Sequence, residues 1–113
     1  MSPVSAIAAL NDAMRRAGPH RPANGNAWLI TPGVSDLGSA FVILAVQATM
    51  GFDTFNRDND PHGEHDFGTI TVLGERVFWK IDYYDLALEY GSPDPADPAV
   101  TRRVLTVMLA SEY

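Results

Sequence analysis

Phe67-Gly68-Thr69-Ile70-Thr71-Val72-Leu73-Gly74-Glu75-Arg76-Val77-Phe78-Trp79-Lys80-Ile81-Asp82-Tyr83-Tyr84 reads as two strands joined by a tight turn. β-Branched and aromatic residues fill both halves, and Gly74-Glu75 is a Gly-X pair suited to a two-residue type II′ loop. Such a loop pairs Leu73 with Arg76, Val72 with Val77, Thr71 with Phe78 and Ile70 with Trp79. Directly opposed residues share a face, so Ile70, Val72, Val77, Trp79 and Ile81 form one apolar surface, the expected core face. The other face carries Phe67, Thr69, Thr71, Phe78, Lys80, Asp82 and Tyr84 and is expected to stay partly in water.

The segments around this hairpin supply the rest of the domain. Before it, Ser2 can cap a helix with Pro3 in its first position, and Gly18-Pro19 stops it. Ile7, Leu10 and Met14 form its core stripe, and Arg15 and Arg16 fall at the negative end of its dipole. His20 to Asn26 reads as a loop and Ala27 to Thr31 as a short strand, with Trp28 and Ile30 on one face. Ser35 or Asp36 can cap a second helix running to about Met50. Leu37, Phe41, Leu44 and Ala48 line one stripe of it, and Val42, Ile43 and Val46 widen that stripe past one face. A helix this apolar is buried centrally or covered by a partner; central burial is the expectation, because a small domain needs its most apolar element inside. After the hairpin, Asp97-Pro98 looks like a helix start, with Val100, Val104, Val107 and Met108 inward and Arg102 and Arg103 outward. The expected order is α-β-α-β-β-α in one α+β domain over residues 1–113, with a mainly antiparallel three-stranded sheet and helices on one face.

Composition limits the chemistry. The chain of 113 residues contains no cysteine, which excludes disulfides, thiolate metal sites and cysteine nucleophiles. Residues Met1 to Gly18 do not read as a signal peptide, and the apolar run Ala40 to Val46 is too short to span a bilayer, so a cytoplasmic location is expected. The net charge of −6 is uneven: Asp53 to Asp97 holds eleven acidic residues against Arg57, Arg76 and Lys80. That segment repels phosphate backbones, so direct nucleic-acid binding through it is disfavoured, whereas a basic protein surface would be attracted. A merely solvated acidic surface is the alternative.

Asp58 to Asp66 is the densest polar stretch. Asp58, Asp60, His62, Gly63, Glu64 and Asp66 fall at positions 1, 3, 5, 6, 7 and 9 of a calcium-loop template, which then fails because Thr69 stands where a bidentate glutamate belongs. His62 and His65, three apart, could instead bind a transition ion with Glu64, Asp66 or Asp82. The competing reading is turn chemistry, with Asp and Asn bonding their own backbone, Pro61 fixing φ and Gly63 turning left-handed. No phosphate-binding glycine loop, nucleophile elbow or nucleotide fingerprint occurs.

Four blocks carry a family resemblance: Phe52-Asp53-Thr54-Phe55, Asp58 through Gly68, Phe78 through Asp85, and Gly91 through Pro98. They are similar to a family of small bacterial proteins grouped as a domain of unknown function and frequent on plasmids and other mobile elements. The resemblance is specific over about 52–113 and collinear from about Asn11. The run Ala40 to Val46 departs from the more polar second helix of that family. The resemblance implies no catalytic residue; by association it implies a role in transfer, maintenance or evasion of host defence.

Two functions are therefore expected of the residues. The first is a small acidic accessory protein without cofactor that engages a basic protein surface, with Phe67, Phe78, Lys80, Asp82, Tyr84 and Asp85 as the interface. Its target could be a host-defence complex of the restriction or CRISPR type, blocked by mimicry of nucleic-acid charge. The second is a divalent-metal-dependent hydrolase using Asp58, Asp60, His62, Glu64, His65 and Asp66. No membrane partner is expected, and the residues leave the oligomeric state open.

Overall fold

The computed structural model describes residues 2–20 and 25–113, so part of the expected loop His20 to Asn26 lies outside the described residues. Helix α1 (Pro3–Ala17) begins as its sequence dictates: the Ser2 hydroxyl accepts the Ser5 N–H at 3.1 Å, and Gly18, at φ 77°, ends it by donating to the Arg15 carbonyl. Strand β1 (Ala27–Ile30) follows. The single second helix expected from Ser35 is two: a one-turn α2 (Pro32–Ser35) capped by Thr31, then α3 (Ser39–Met50). Gly38 separates them at φ 100°, a conformation no helix continues through.

The hairpin is β2 (Phe67–Val72) and β3 (Glu75–Tyr84), and its turn is one residue earlier than expected. Val72 pairs with Glu75 and Ile70 with Val77, leaving Leu73 and Gly74 in the loop at φ 49° and 83°. Both loop residues are left-handed, which is the type I′ pattern, with Gly74 as its second residue rather than the first of a type II′ turn. Each residue's partner shifts by two, an even number, so the faces survive: Val72, Val77, Trp79 and Ile81 are buried as expected. Trp79 now opposes Gly68, not Ile70.

The expected last helix is a strand. β4 (Arg102–Leu109) pairs antiparallel with β3 and parallel with β1, giving a four-stranded mixed sheet in the order β1-β4-β3-β2. Asp97 caps a turn instead, its Oδ1 accepting the Ala99 N–H at 2.9 Å. The apolar positions of Val104 to Leu109 fit either period; β-branched Val104, Thr106 and Val107, and the free edge of β3, favour the strand. A 3-10 turn (Ala110–Glu112) ends the fold. There the Glu112 carboxylate accepts from the Leu109 N–H, the Thr31 hydroxyl and the Gly33 N–H, tying the end of β4 to the start of α2.

The core joins Met14 of α1, Val34 of α2, and Phe41 and Ala45 of α3 to Val72, Val77, Trp79, Ile81, Leu105 and Val107 of the sheet. The helices thus cover one sheet face. Helix α3 is not central: only Phe41, Ala45 and Thr49 are buried, one narrow stripe, while Ile43 and Leu44 are exposed. Among the described residues, no helix is long and apolar enough to cross a membrane.

Candidate functional site

Two regions compete as the site: the polar loop under α1 and the uncovered sheet face. In the loop, the Asn56 side chain accepts the Asp58 and Asn59 N–H groups at 2.9 and 3.0 Å. Asn59 in turn accepts the Asn56 N–H at 2.8 Å and donates to the Thr54 carbonyl at 2.7 Å. These are side chains substituting for backbone partners in a turn. His65 sits at φ 56°, uncommon for a residue with a Cβ, and three contacts hold it. Its ring stacks on Phe55 at 3.9 Å, Nδ1 lies 3.0 Å from Asp12 Oδ1 on α1, and Nε2 lies 3.7 Å from Asp60 Oδ2.

Asp12 also receives buried Arg15 at 2.9 Å. Arg15 donates to the Phe52 carbonyl at 2.8 Å, and its guanidinium lies over the rings of Phe55 and Trp79. Burial pushes the Asp12 carboxyl up, but hydrogen bonds from Arg15 and His65 outweigh it, and the group sits below its ordinary value.

A second set of bonds runs deeper. The Tyr83 hydroxyl donates to Glu64 Oε1 at 2.8 Å and accepts from Asn11 Nδ2 at 2.8 Å. Asn11 Nδ2 also donates to the Glu64 carbonyl, and Asn11 Oδ1 accepts from Arg103 Nε at 2.8 Å. Arg103, buried where an outward position was expected, donates further to the Pro95 carbonyl and lies over the Tyr83 ring. In a strand, residue 103 shares the face of Leu105 and Val107, which is why it turns inward. Burial, then the Glu64 carboxylate working against the Asn11 hydrogen bond, raises the Tyr83 phenol well above its ordinary value, so it serves as a neutral donor. The two sets tie α1 to the loop, β3, β4 and the Pro95 connection.

The loop residues expected to bind metal are therefore dispersed. Asp60 and His65 face each other, Glu64 turns to Tyr83, Asp58 and His62 are exposed, and Asp82 lies across the sheet. Among the described residues, no three His, Asp or Glu side chains gather as possible metal ligands. Sequence reasoning missed Asn11, Asp12, Arg15 and Arg103, and Tyr83, expected as an interface or stacking aromatic, is instead tied into this network. One signal was present: Asn11 is a polar residue at a core position, between Ile7 and Met14 on the α1 stripe.

Asp66 is the strained member. Burial and then repulsion from Glu64 raise its carboxyl, opposed by its own backbone N–H, with Asp60 adding further repulsion. A raised folded pKa gives stability that is present at low pH and lost as pH rises through that value, so ionised Asp66 destabilises the neutral protein. Asp66→Asn is expected to melt above the wild type at pH 7 and to lose that advantage as pH falls towards 4. Melting curves across that range test it, and an Asp66→Asn protein less stable at pH 7 contradicts the assignment. Asp12, being lowered, acts in the opposite sense and loses its contribution at low pH.

Among the described residues, no α-helix packs on the other sheet face; only the 3-10 turn reaches it, with Tyr113. Phe67, Phe78, Lys80, Asp82 and Tyr84 all lie there, as the hairpin's alternation predicts, and Asp85 follows directly. Phe67 and Phe78 are 5.2 Å apart, and Tyr113, 74% exposed, meets both at 6.0 and 5.7 Å. Lys80 pairs with Asp82 at 3.2 Å and Arg76 lies over Phe78. Beyond Tyr84 the chain makes a tip closed by Asp85, which accepts the Glu89 N–H. The tip exposes Leu86, Leu88 and Tyr90, and Leu88 is held at φ 59°. Arg102 anchors the tip beside the open face by donating to the Leu86 carbonyl at 2.9 Å. Reading 102–109 as a helix concealed Arg102 from this surface, and Met108, which lies buried opposite Phe78 on the same face.

Comparison with curated proteins and with solved structures gave no match. The family model described as "Protein of unknown function (DUF3768)" matches residues 30–112, from the end of β1 through the 3-10 turn, and leaves α1 outside. The chain, with its open-faced sheet and strapped polar loop, belongs to that family.

Proposed function

We propose that this chain is a non-enzymatic binding module that docks a protein partner on the open sheet face. The observation that carries the reading is the aromatic cluster on this face, half-buried Phe67 and Phe78 with exposed Tyr113 edge-on against them, bordered by Arg76, Lys80, Asp82 and Tyr84. Aromatic and arginine side chains surrounded by polar ones are the composition of interface centres. Leu86, Leu88 and Tyr90 extend the surface at one end, where Leu88 is held left-handed and more than half exposed.

Charge supports a basic partner. The face itself is mixed, but Asp85, Glu89, Asp94 and Asp97 crowd the chain segment that leaves it after β3. A partner whose cations meet this rim while an apolar patch meets Phe78 fits both features. Proteins that handle nucleic acid have such surfaces, and a host-defence nucleoprotein is the class we favour.

The test is recovery of a stoichiometric complex from the native host, followed by titration with purified partner. Phe78→Asp is expected to weaken binding about 100-fold, the loss typical of a central contact, and wild-type affinity is expected to fall steeply with salt. Equal binding by Phe78→Asp removes the sheet face as the interface; equal binding at low and high salt removes the acidic rim.

A further inference from the structure

After β3 the chain makes a projection, Leu86 to Tyr90, in which every residue is exposed. Backbone bonds close its base. The Asp85 N–H donates to the Tyr90 carbonyl at 2.8 Å, the Leu88 N–H donates to the Asp85 carbonyl at 3.0 Å, and Tyr84 bridges Gly91. The Asp85 carboxylate accepts the Glu89 N–H at 3.0 Å, and Arg102 braces the Leu86 carbonyl from β4. The projection is thus shaped before anything binds it.

What it presents is apolar. Leu86, Leu88 and Tyr90 are 52%, 55% and 73% exposed, and Leu88 is held at φ 59°, where a Cβ is strained. Leu73, at the opposite end of β3, is also left-handed and exposed, but its type I′ turn requires that conformation and no second large apolar residue of that turn is exposed with it.

We propose that Leu86 to Tyr90 is the anchor of the docking surface: Leu88 and Tyr90 enter an apolar pocket of the protein partner whose rim carries lysine or arginine. The inference rests on the reading of the chain as a docking module and assigns its specificity to this projection. A projection with apolar side chains fits a concavity, and one already shaped loses little entropy on entering it. Charge selects the kind of pocket. Glu89 is exposed, Asp85 lies at the base, and neither pairs with a basic side chain among the described residues. Carboxylates beside the entering leucine and tyrosine repel lipid and nucleic-acid phosphates and a second chain of net charge −6, and they attract cations at the edge of a pocket.

Titration of the partner purified from the native host against single variants tests the proposal, with melting curves beside it. Tyr90→Ala, Leu88→Ala and Leu88→Gly are each expected to weaken binding about 30-fold, the loss of a central contact. Glycine relieves the left-handed strain that alanine keeps, so Leu88→Gly is expected to melt about 3–5 °C above Leu88→Ala while binding as poorly. Leu73→Gly, the same change at the far end of β3, is expected to bind as the wild type does. Lost binding in Leu88→Gly and Tyr90→Ala but not in Phe78→Asp supports the projection and removes the sheet face. Wild-type affinity in Leu88→Gly and Tyr90→Ala overturns the proposal, and with lost binding in Phe78→Asp it leaves the sheet face standing alone. Cosedimentation of the wild type with phosphatidylcholine vesicles, or a wild-type dimer abolished by Leu88→Gly, gives the projection to a membrane or to a second copy and also overturns it.

Discussion

Arg103→Leu is expected to destabilise the protein by about 3–4 kcal/mol, a large part of the stability of a small domain. Leucine fills much of the arginine's volume, so the loss is polar rather than a cavity. Asn11 Oδ1 and the Pro95 carbonyl each lose a donor inside the protein, and the Tyr83–Glu64 pair loses the positive charge beside it. Each buried group left unpaired costs about 1–3 kcal/mol. Urea unfolding should show an earlier midpoint with an unchanged slope, as expected when the folded surface is preserved. Arg103→Lys should recover only part of the loss, since an ammonium cannot reach Asn11 and Pro95 with a planar fork. A change below about 1 kcal/mol for Arg103→Leu would mean that these bonds do not tie the helix to the sheet.

Gly68→Ala is the second substitution with a large expected effect. A Cβ at Gly68 would lie 2.3 Å from Trp79 Nε1 and 2.6 Å from Cε2. The indole cannot retreat, because it is fully buried between the edges of Phe52 and Phe55 and under the Arg15 guanidinium. One methyl group should therefore cost about 2–3 kcal/mol through overpacking. The same change made in a Trp79→Phe background should cost markedly less, because the smaller ring vacates that space. Trp79 Nε1 has no hydrogen-bond partner among the described residues, so Trp79→Phe sacrifices packing but no hydrogen bond. A coupling of about 1 kcal/mol or more between the two sites in a double-mutant cycle is expected; additive losses would contradict the contact.

The hairpin shows what alternation can and cannot determine. The period of two fixes which residues face inward, and Trp79 and Val77 are buried accordingly. Where the turn sits depends on the loop conformation, and here leucine takes a left-handed position that glycine or asparagine usually fills. The error was even in register, so the faces were right while the Gly68–Trp79 contact was hidden.

Residues 102–109 were ambiguous for a different reason. A short apolar run fits both periods, and the choice depends on the free edge of β3, whose partners lie from Tyr84↔Arg102 to Val77↔Leu109, and on β1, far earlier in the chain. That misassignment concealed Arg103, whose inward side chain completes the polar network. Helix α3 was legible as unusually apolar, but not as peripheral: its burial depends on how much of the sheet α1 and α2 already cover. The polar loop was recognisable as turn chemistry from its Asn, Asp, Pro and Gly content. Its partners on α1 were not, because nothing local links Asp12 to His65 across 53 positions.

On the function proposed above, the loop is a strap and the helix-free sheet face is the working surface. Parallel titrations of purified partner against Phe78→Asp and against His62→Ala separate the two most directly. Loss of binding in the sheet variant with wild-type affinity in the loop variant is the predicted pattern. Wild-type affinity in the sheet variant together with lost binding in the loop variant would transfer the function to residues 58–66 and contradict the account.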